Sequence, residues 1–490
     1  MANKSILTEK TTIPTPTDQG NMTTDKQLTV VIAGAGFCGL TAAIECKLKG
    51  FIPILVESYP TSRTQGDVLD FMHNAGRHML AWDNGSVGKK LLETGVHTAK
   101  TLDYYSAKGE LLYEEPWTFH DSHAHTQFAG HRGKQHQILV DYAEKLGVDM
   151  RFGPQYSVVE YIDSDSETGV LTKGGEKILG SLVLACDGPR SLARSQVLGL
   201  PDHKVNSGYA IYRAYYDITE ELRNNKLISQ LCNPDEDQAA MFMGKDMHAF
   251  VYTWGKATQL AWVLTHKDEH DIGESWSFPG KVEDALADLE RGGFSDFLKE
   301  VVRNTPRDRL VDYKLVWRDP IPTWLSSTKR IAVMGDAAHC HLPTSAQGAC
   351  MAVEDAVTVA RCLELARGEV ELALQVFERL RYNRSHVIHM SSLSNRDRAH
   401  LVEWTPEKAK EHYDSMTIPH DDWIIEFDCK ADADEHFERL ASEVKSGKTG
   451  TIQQLSVPAG GSFEDIPDHI KIDQPAVAIA STISNEPVRS

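Results

Sequence analysis

The residues of this chain best suited to chemistry begin with Gly34-Ala35-Gly36-Phe37-Cys38-Gly39, a G-x-G-x-x-G turn, and continue with Glu57. Their types and order suit a dinucleotide. Gly34 permits a tight turn, Gly36 lets backbone approach a pyrophosphate, and Gly39 lets the next helix pack close to the preceding strand. That helix offers free N–H groups and the positive end of its dipole to phosphate. Glu57, roughly 20 residues beyond the glycines, stands where an acid accepts hydrogen bonds from ribose hydroxyls. Which dinucleotide is held stays open at this point. An acid–glycine pair, Asp187-Gly188, and a further corner, Gly335-Asp336-Ala337-Ala338-His339, lie far downstream. Pro343, Ala346-Gln347-Gly348-Ala349 and Glu354-Asp355-Ala356 follow that corner. A strand, an acid, a loop and a helix start in that order suit a phosphate or a polyol, whereas an Asp-Gly pair alone is a common turn. Histidines at 120, 123, 125, 131 and 136 cluster. They lack an H-x-x-x-H helix and a carboxylate at ligand spacing, so no metal site is expected.

These residues need a scaffold, and the apolar pattern supplies one. Residues 28–33 are β-branched enough for a buried parallel strand. Leu40, Ala43, Ile44 and Leu48 share one side of a helix that stops at Gly50, and 52–56 is the next strand, so the first cluster lies in a βαβ unit. Residues 67–82 read partly as a helix through Ala75, Met79 and Trp82, and 111–119 as short strands. Arg132 precedes a helix over 135–147 that turns Ile138, Leu139, Tyr142 and Leu146 inward. Strands are expected at 148–152 and 156–162, and a single buried strand over 177–186 delivers Asp187. From 208 to 317 the pattern alternates, and 209–216, 248–254 and 258–265 suggest an antiparallel sheet with one face open to a pocket. Its aromatics (Tyr209, Tyr212, Tyr215, Phe242, Phe250, Tyr252, Trp254, Trp262) fit either a core or a wall over a flat organic ligand. A strand over 329–334 delivers Asp336, a long helix covers 350–366, and 372–440 is mostly helical.

The 490 residues are 41% hydrophobic and 25% charged, the composition of a globular chain with room for more than one domain. A formal net charge of −19 argues against nucleic acid and anionic membrane as partners, which need a basic face. The 8 cysteines are scattered without paired spacing, as suits reduced thiols. No stretch is apolar enough to cross a bilayer, and the first 26 residues lack a signal-peptide core, so a soluble cytoplasmic protein is expected.

Together and in this order, GAGFCG with Glu57, Asp187-Gly188, and GDAAH with P-x-x-x-Q-G-A and E-D-A closely resemble the class A flavoprotein aromatic hydroxylases, the family of p-hydroxybenzoate and salicylate hydroxylases. The resemblance covers residues 27–384, and WIIEFD at 423–428 is similar to a C-terminal feature of salicylate-hydroxylase-like members. GDVLDFMHNAGRHMLAWDNG and VWRDPIPTWLSSTKRIAVMGDAAHCHLP resemble fungal secondary-metabolism members, some of which hydroxylate phenols and some of which oxidise indoles.

The resemblance implies an α/β fold with a Rossmann-like, discontinuous FAD-binding domain (27–100, 126–203 and 325–400) and an inserted antiparallel β-sheet substrate domain (101–125 and 204–324). C-terminal helices (401–445) follow, between a disordered arm (1–26) and a flexible tail (446–490). It implies FAD as resident cofactor, with Gly34, Gly36 and Gly39 at the pyrophosphate and Glu57 at the adenosine ribose. Arg132 matches the arginine that reaches the flavin linker, and Asp187-Gly188 serves both FAD and the pyridine nucleotide. The resemblance also implies that Asp336 accepts hydrogen bonds from the ribityl chain. Pro343, Gly348 and Ala349 mark the helix start aimed at flavin N1 and the C2 carbonyl. Two positions depart from the family pattern: Ala346 replaces the first glycine before the long helix, and Gln135 replaces a leucine after Arg132.

The activity implied is that of a single-component monooxygenase. NAD(P)H and O2 are co-substrates, and an oxygen passes from a flavin C4a-hydroperoxide to a small aromatic substrate. With no second glycine fingerprint, NAD(P)H is expected to bind transiently, and the protein to be a monomer or homodimer. Arg213, in GYAIYRAYYD, is the candidate catalytic residue on the substrate side because a guanidinium always carries charge. Tyr212 and Tyr252 are further candidates as acids or orienters. A flavin-dependent halogenase or oxidase on the same fold is the alternative, though the halogenase W-x-W-x-I-P segment is missing. A non-enzymatic NAD-binding protein fits less well, because it has no use for the corner at Asp336.

Overall fold

The computed structural model describes residues 27–60, 68–94, 99–116, 126–202, 204–269, 278–318, 321–417 and 421–448. The apolar, β-branched run Thr-Val-Val-Ile-Ala forms β1 (Thr29–Ala33), the middle strand of a five-stranded parallel sheet. On one side lie β2 (Ile52–Glu57) and β7 (Asp149–Phe152). On the other lie β11 (Leu182–Ala185) and β17 (Ile331–Val333). Because all five run the same way, the residues that follow β1, β11 and β17 and the last residue of β2 emerge at one edge. Gly34, Asp187, Asp336 and Glu57 are therefore brought together from distant parts of the chain, at the carboxyl ends where parallel sheets bind ligands.

Helices Phe37–Leu48 and Gly348–Leu365 pack on each other beside this sheet, with Leu40, Ala43, Ile44, Val353, Ala356 and Val357 in the core. The helix beside Arg132 runs Arg132–Lys145 and so starts three residues before the expected 135; His131 Nδ1 caps it by accepting from Lys134 N–H at 3.3 Å. Residues 177–186 are two strands rather than the expected one. β10 (Lys177–Gly180) pairs with β9 (Thr168–Thr172), which pairs with β8 (Val158–Asp163), in a separate antiparallel sheet. At the break the chain passes close against β1: a Cβ at Gly180 would lie 2.8 Å from Thr29 O, a space only glycine leaves free, and Ser181 N–H donates to that same oxygen at 2.8 Å. The part of 67–82 that is helical is His73–Leu80, with Ala75 and Met79 buried as expected, and before it β3 (Val68–Phe71) pairs with β6 (Phe128–His131).

A seven-stranded sheet has the order β16-β12-β15-β14-β13-β4-β5. Its strands are β4 (Thr101–Ser106), β5 (Leu111–Pro116), β12 (Lys204–Asp217), β13 (Ala239–Gly244), β14 (Met247–Trp254), β15 (Gln259–Lys267) and β16 (Leu310–Arg318). It is mixed rather than antiparallel throughout, because β4 runs parallel to β13. The far face carries Tyr212, Phe242, Trp262 and Leu264 against helices Val282–Arg291 and Asp296–Arg303, as a second core. The near face looks back at the parallel sheet.

The C-terminal part is helical: Val370–His400, Pro406–Met416 and Cys429–Lys445. All eight cysteines are free thiols. Among the described residues, no helix is long and apolar enough to cross a membrane.

Candidate functional site

At the glycine loop the backbone does the positioning. Gly34 has φ +104°, and a Cβ there would lie 2.3 Å from Cys186 O, so any other residue would push β11 away. At Gly39 a Cβ would lie 1.9 Å from Gly34 O, inside the helix–strand contact. Gly36 differs, since nothing lies within 4 Å of its missing Cβ; it opens on the cavity and leaves the helix N-terminus approachable. Glu57 closes the other side of the loop. One carboxylate oxygen accepts from Ala35 N–H at 2.8 Å, and the other accepts from Ser58 Oγ and Tyr59 N–H, each at 2.9 Å. Arg132 lies over the Phe37 ring, 5.4 Å from its centroid, and also faces the cavity.

Asp187 is committed mainly to the fold. Its Oδ2 accepts from Tyr161 OH and Leu192 N–H, each at 2.9 Å, and from Ala193 N–H at 3.2 Å. Burial, reinforced by the Asp187 charge, holds the Tyr161 phenol well above its usual range. Gly188, φ +78°, has open space where a Cβ would be and lines the cavity. Asp336 sits in the turn after β17. Burial raises its carboxyl above the usual carboxylate range against the opposing positive charges of Arg132, Arg194 and Arg318. Pro343, Ala346, Gly348 and Ala349 complete this wall. Ala346 adopts φ +52°, a left-handed conformation that glycine takes without cost.

Behind that wall lies an ion network to which the sequence offered only the pair Glu354-Asp355. Both acids are fully buried. Glu354 Oε2 meets Arg381 at 2.5 Å and Arg384 at 2.8 Å, and Oε1 accepts from Asn74 Nδ2 at 2.6 Å. Asp355 meets Arg381 at 2.9 Å and His339 at 2.6 Å. Burial alone would raise both carboxyls, but Arg384 and Arg381 hold Glu354 low, and His339 and Arg381 hold Asp355 low. Asn74 also donates to Gln347 Oε1 at 3.0 Å, so the network fixes the residue just before the helix at Gly348. Adjacent acids inside an apolar helix must find cationic partners when buried, and that was the signal available for Arg381.

The near face of the large sheet forms the other end. Its register places Met243, His248, Thr265, Ile211 and Tyr313 in one row, and Met241, Phe250, Val263, Arg213 and Val311 in the next. Arg213 is half-buried, lies 5.9 Å from the Tyr313 ring centroid, and lines the cavity. Tyr252 lines it too, in contact with Trp254 at a ring distance of 4.1 Å. Tyr212 does not. Strand alternation turns it to the far face, where it stacks on His266 at 4.2 Å in the second core, so its placement removes it from the candidate site. The aromatic run divides between the two faces: Tyr215, Phe250, Tyr252 and Trp254 face the cavity, while Tyr212, Phe242 and Trp262 belong to the core.

Sequence reasoning missed Asp70, His248 and Thr265, all on cavity-lining strands. Asp70 accepts from Gln127 Nε2 at 2.6 Å, its Oδ1 is buried without a hydrogen-bond partner among the described residues, and burial pushes its carboxyl up to about 6. Of the clustered histidines, His131 caps a helix and His136 bonds to Ala35 O at 2.6 Å. His120, His123 and His125 lie outside the described residues.

The two ends belong to one cavity of about 1270 Å³, lined continuously from Gly36 and Glu57 through Asp336 and Gly348 to Arg213 and Tyr252. Single-ligand pockets typically hold roughly 300–1,000 Å³, so this one has room for a dinucleotide and a second molecule in line. The residues present fit FAD: open backbone at Gly36 and Gly188, an acid at Glu57, and an acid and a helix start at the opposite corner.

Comparison with known proteins agrees. The family model described as "FAD binding domain" matches residues 27–268 and 323–374. The chain is 33% identical over 450 residues to "FAD-dependent monooxygenase nanF" of Aspergillus nanangensis, covering 90% of this chain and 95% of the relative. It is 32% identical to "Asperlicin C monooxygenase" of Petromyces alliaceus, covering 85% and 89%. A solved structure of CtdE in complex with FAD and a substrate superposes with a TM-score of 0.78 at 31% identity, covering 86% of this chain and all of that one.

Proposed function

We infer that this chain, which belongs to the class A FAD-dependent monooxygenases of fungal secondary-metabolism type, oxygenates an electron-rich aromatic natural product, a phenol or an indole, by hydroxylation or epoxidation. NAD(P)H and O2 are the co-substrates in this reading. FAD is the resident cofactor, and when bound and reduced it supplies the activated oxygen. The protein's own residues bind, orient and exclude water. Gly34, Gly36, Gly39 and the start of helix Phe37–Leu48 would hold the pyrophosphate, and Glu57 would hold the adenosine ribose. Arg132 and Gly188, which line the cavity, would border the linker, and Asp336 would accept from the ribityl chain. Pro343, Gly348 and Ala349, at the start of a helix that lines the cavity, would meet the flavin's pyrimidine edge, where the helix N-terminus would stabilise negative charge.

The observation that carries this reading is the continuity of the cavity with the sheet face bearing Arg213, amid methionine, valine and aromatic side chains. There a fixed positive charge can hold a phenolate, a carboxylate or another polar group of a ring substrate, while the apolar wall keeps water out. Tyr252 is a second polar group on the same wall.

The test is oxygen and NAD(P)H consumption by the yellow holoprotein across a panel of phenols, anthranilates and tryptophan-derived indoles, with products examined by mass. The expected result is consumption stimulated by an aromatic substrate and a product heavier by one oxygen atom. Stimulated consumption that yields only peroxide with every member of the panel, or halogenated product when halide is present, would overturn the reading.

A further inference from the structure

Most near-face positions lining the substrate end are apolar: Met241, Met243, Phe250, Val263 and Ile211. Among them runs a buried polar chain. Thr265 on β15 lies directly across from His248 on β14, and both side chains line the cavity. Thr265 Oγ1 is 3.2 Å from His248 Nε2, and His248 Nδ1 is 2.7 Å from Nε2 of His400, the last residue of helix Val370–His400. Thr265 and His400 are each 1% exposed and His248 8%. Buried polar groups in an apolar wall are costly unless each finds a partner.

Burial keeps both imidazoles neutral near pH 7, with His248 pushed down to about 4 and His400 well below its usual range. Each ring therefore carries one N–H, and the chain can run in either of two directions. If Thr265 donates to His248 and His248 to His400, the remaining proton sits on His400 Nδ1, which is buried without a hydrogen-bond partner among the described residues. If His400 donates to His248 and His248 to Thr265, His400 Nδ1 keeps only a lone pair, and the threonine hydroxyl hydrogen is left to turn into the cavity. An orphaned buried N–H is the rarer outcome in folded proteins, so the second direction is favoured. A wall that offers a hydroxyl hydrogen suits a ligand that presents an acceptor there.

We propose that Thr265, oriented by His248 and His400, is a specificity residue that donates a hydrogen bond to a carbonyl oxygen of the substrate. It thereby favours aromatic substrates carrying an amide or lactam carbonyl over bare aromatic rings. The register supports the spacing: Thr265 pairs with Ile211 and Val263 with Arg213, so the two polar contacts lie in adjacent rows, ~7 Å apart along the strand. That separation suits a carbonyl a few bonds from a ring held near Arg213. The proposal rests on the substrate-binding role inferred above for this sheet face.

The experiment titrates the FAD-loaded protein with two probes, following perturbation of the flavin absorbance. The first, cyclo(tryptophyl-alanyl), is an indole with ring amide carbonyls, and the second, 3-propylindole, has none. Thr265→Val, which keeps the branched shape, is expected to weaken the first probe about 10- to 100-fold and to leave the second unchanged. Thr265→Ser should retain tight binding of the first, and His248→Leu should weaken it by an intermediate factor. If both probes bind the parent protein and Thr265→Val affects them equally or not at all, the proposal is wrong and the substrate reading of the sheet survives. If neither probe perturbs the parent flavin, both fall.

Discussion

At the cofactor end of the cavity, Gly34, Gly36 and Gly39 act through atoms they lack, whereas at the sheet end Arg213, Thr265 and His248 act through side chains that alternate along strands. The first kind of site is set by backbone that closes on Gly34 and Gly39, where a Cβ has no room, and by the open side of Gly36. The second is set by which strand pairs with which and in what register, so individual wall residues can change while the sheet stays the same. One end can thus hold a constant cofactor while the other is retuned for a different substrate.

The largest effect should come from the ion network behind the cofactor corner, which supports the fold and the cofactor end together. Arg381→Met leaves Glu354 and Asp355 short of a cation and should cost about 3–5 kcal/mol, read by chemical denaturation, with flavin content falling alongside. Gly36→Ala should act on one end only. Its Cβ enters the open side of the loop, where overpacking costs about 1–3 kcal/mol; flavin affinity should drop accordingly while the apoprotein's denaturation midpoint stays put. An apoprotein as destabilised as the cofactor affinity is weakened would show that Gly36 serves the fold and not the ligand.

At the sheet end the adjacent residues Tyr212 and Arg213 form an internal control. Arg213→Ala should keep flavin bound and lower coupled product formation about 100-fold, whereas Tyr212→Phe, facing the other core, should leave turnover unchanged. Equal effects would erase the distinction between the two faces. Asp70 gives a pH-dependent contrast. Its carboxyl titrates near 6 in the fold and near 3.9 in an unfolded chain. Its contribution to apoprotein stability is therefore fully present below about pH 4 and is lost as pH rises through about 6. Asp70→Asn should remove that loss, so its stability gain over the parent should appear at pH 7–8 and vanish at pH 4. The smallest effect should be Ala346→Gly, which relieves a left-handed alanine and should raise stability by about 1 kcal/mol, visible as a modest shift in denaturation midpoint.

What the sequence allowed to be read follows the same division. The glycine turn, Glu57 and the corner at Asp336 were legible because tight turns and helix starts demand particular residue types at fixed short spacings. The split at Gly180 was not, because the contact made there is with Thr29 O, on a strand about 150 residues away. Asp70 was lost for a similar reason, since β3 exists only through its pairing with β6. Neighbours on a strand point to opposite faces, so Tyr212 and Arg213 could not both be right, yet both stood as candidates; the packing of helices Val282–Arg291 and Asp296–Arg303 decides which of the two faces inward. The Arg381 network needed a helix that returns to cover Glu354-Asp355.

The order β17-β11-β1-β2-β7 also bears on how the chain reaches this state. During synthesis β1, β2, β7 and β11 emerge early, but the edge strand that carries Asp336 follows only after the whole large sheet has been made. The incomplete parallel sheet must wait with β11 as an open edge, a template for wrong pairing. Such long-range parallel contacts make for slow folding. A chain released before residue 331 should therefore aggregate rather than bind flavin weakly.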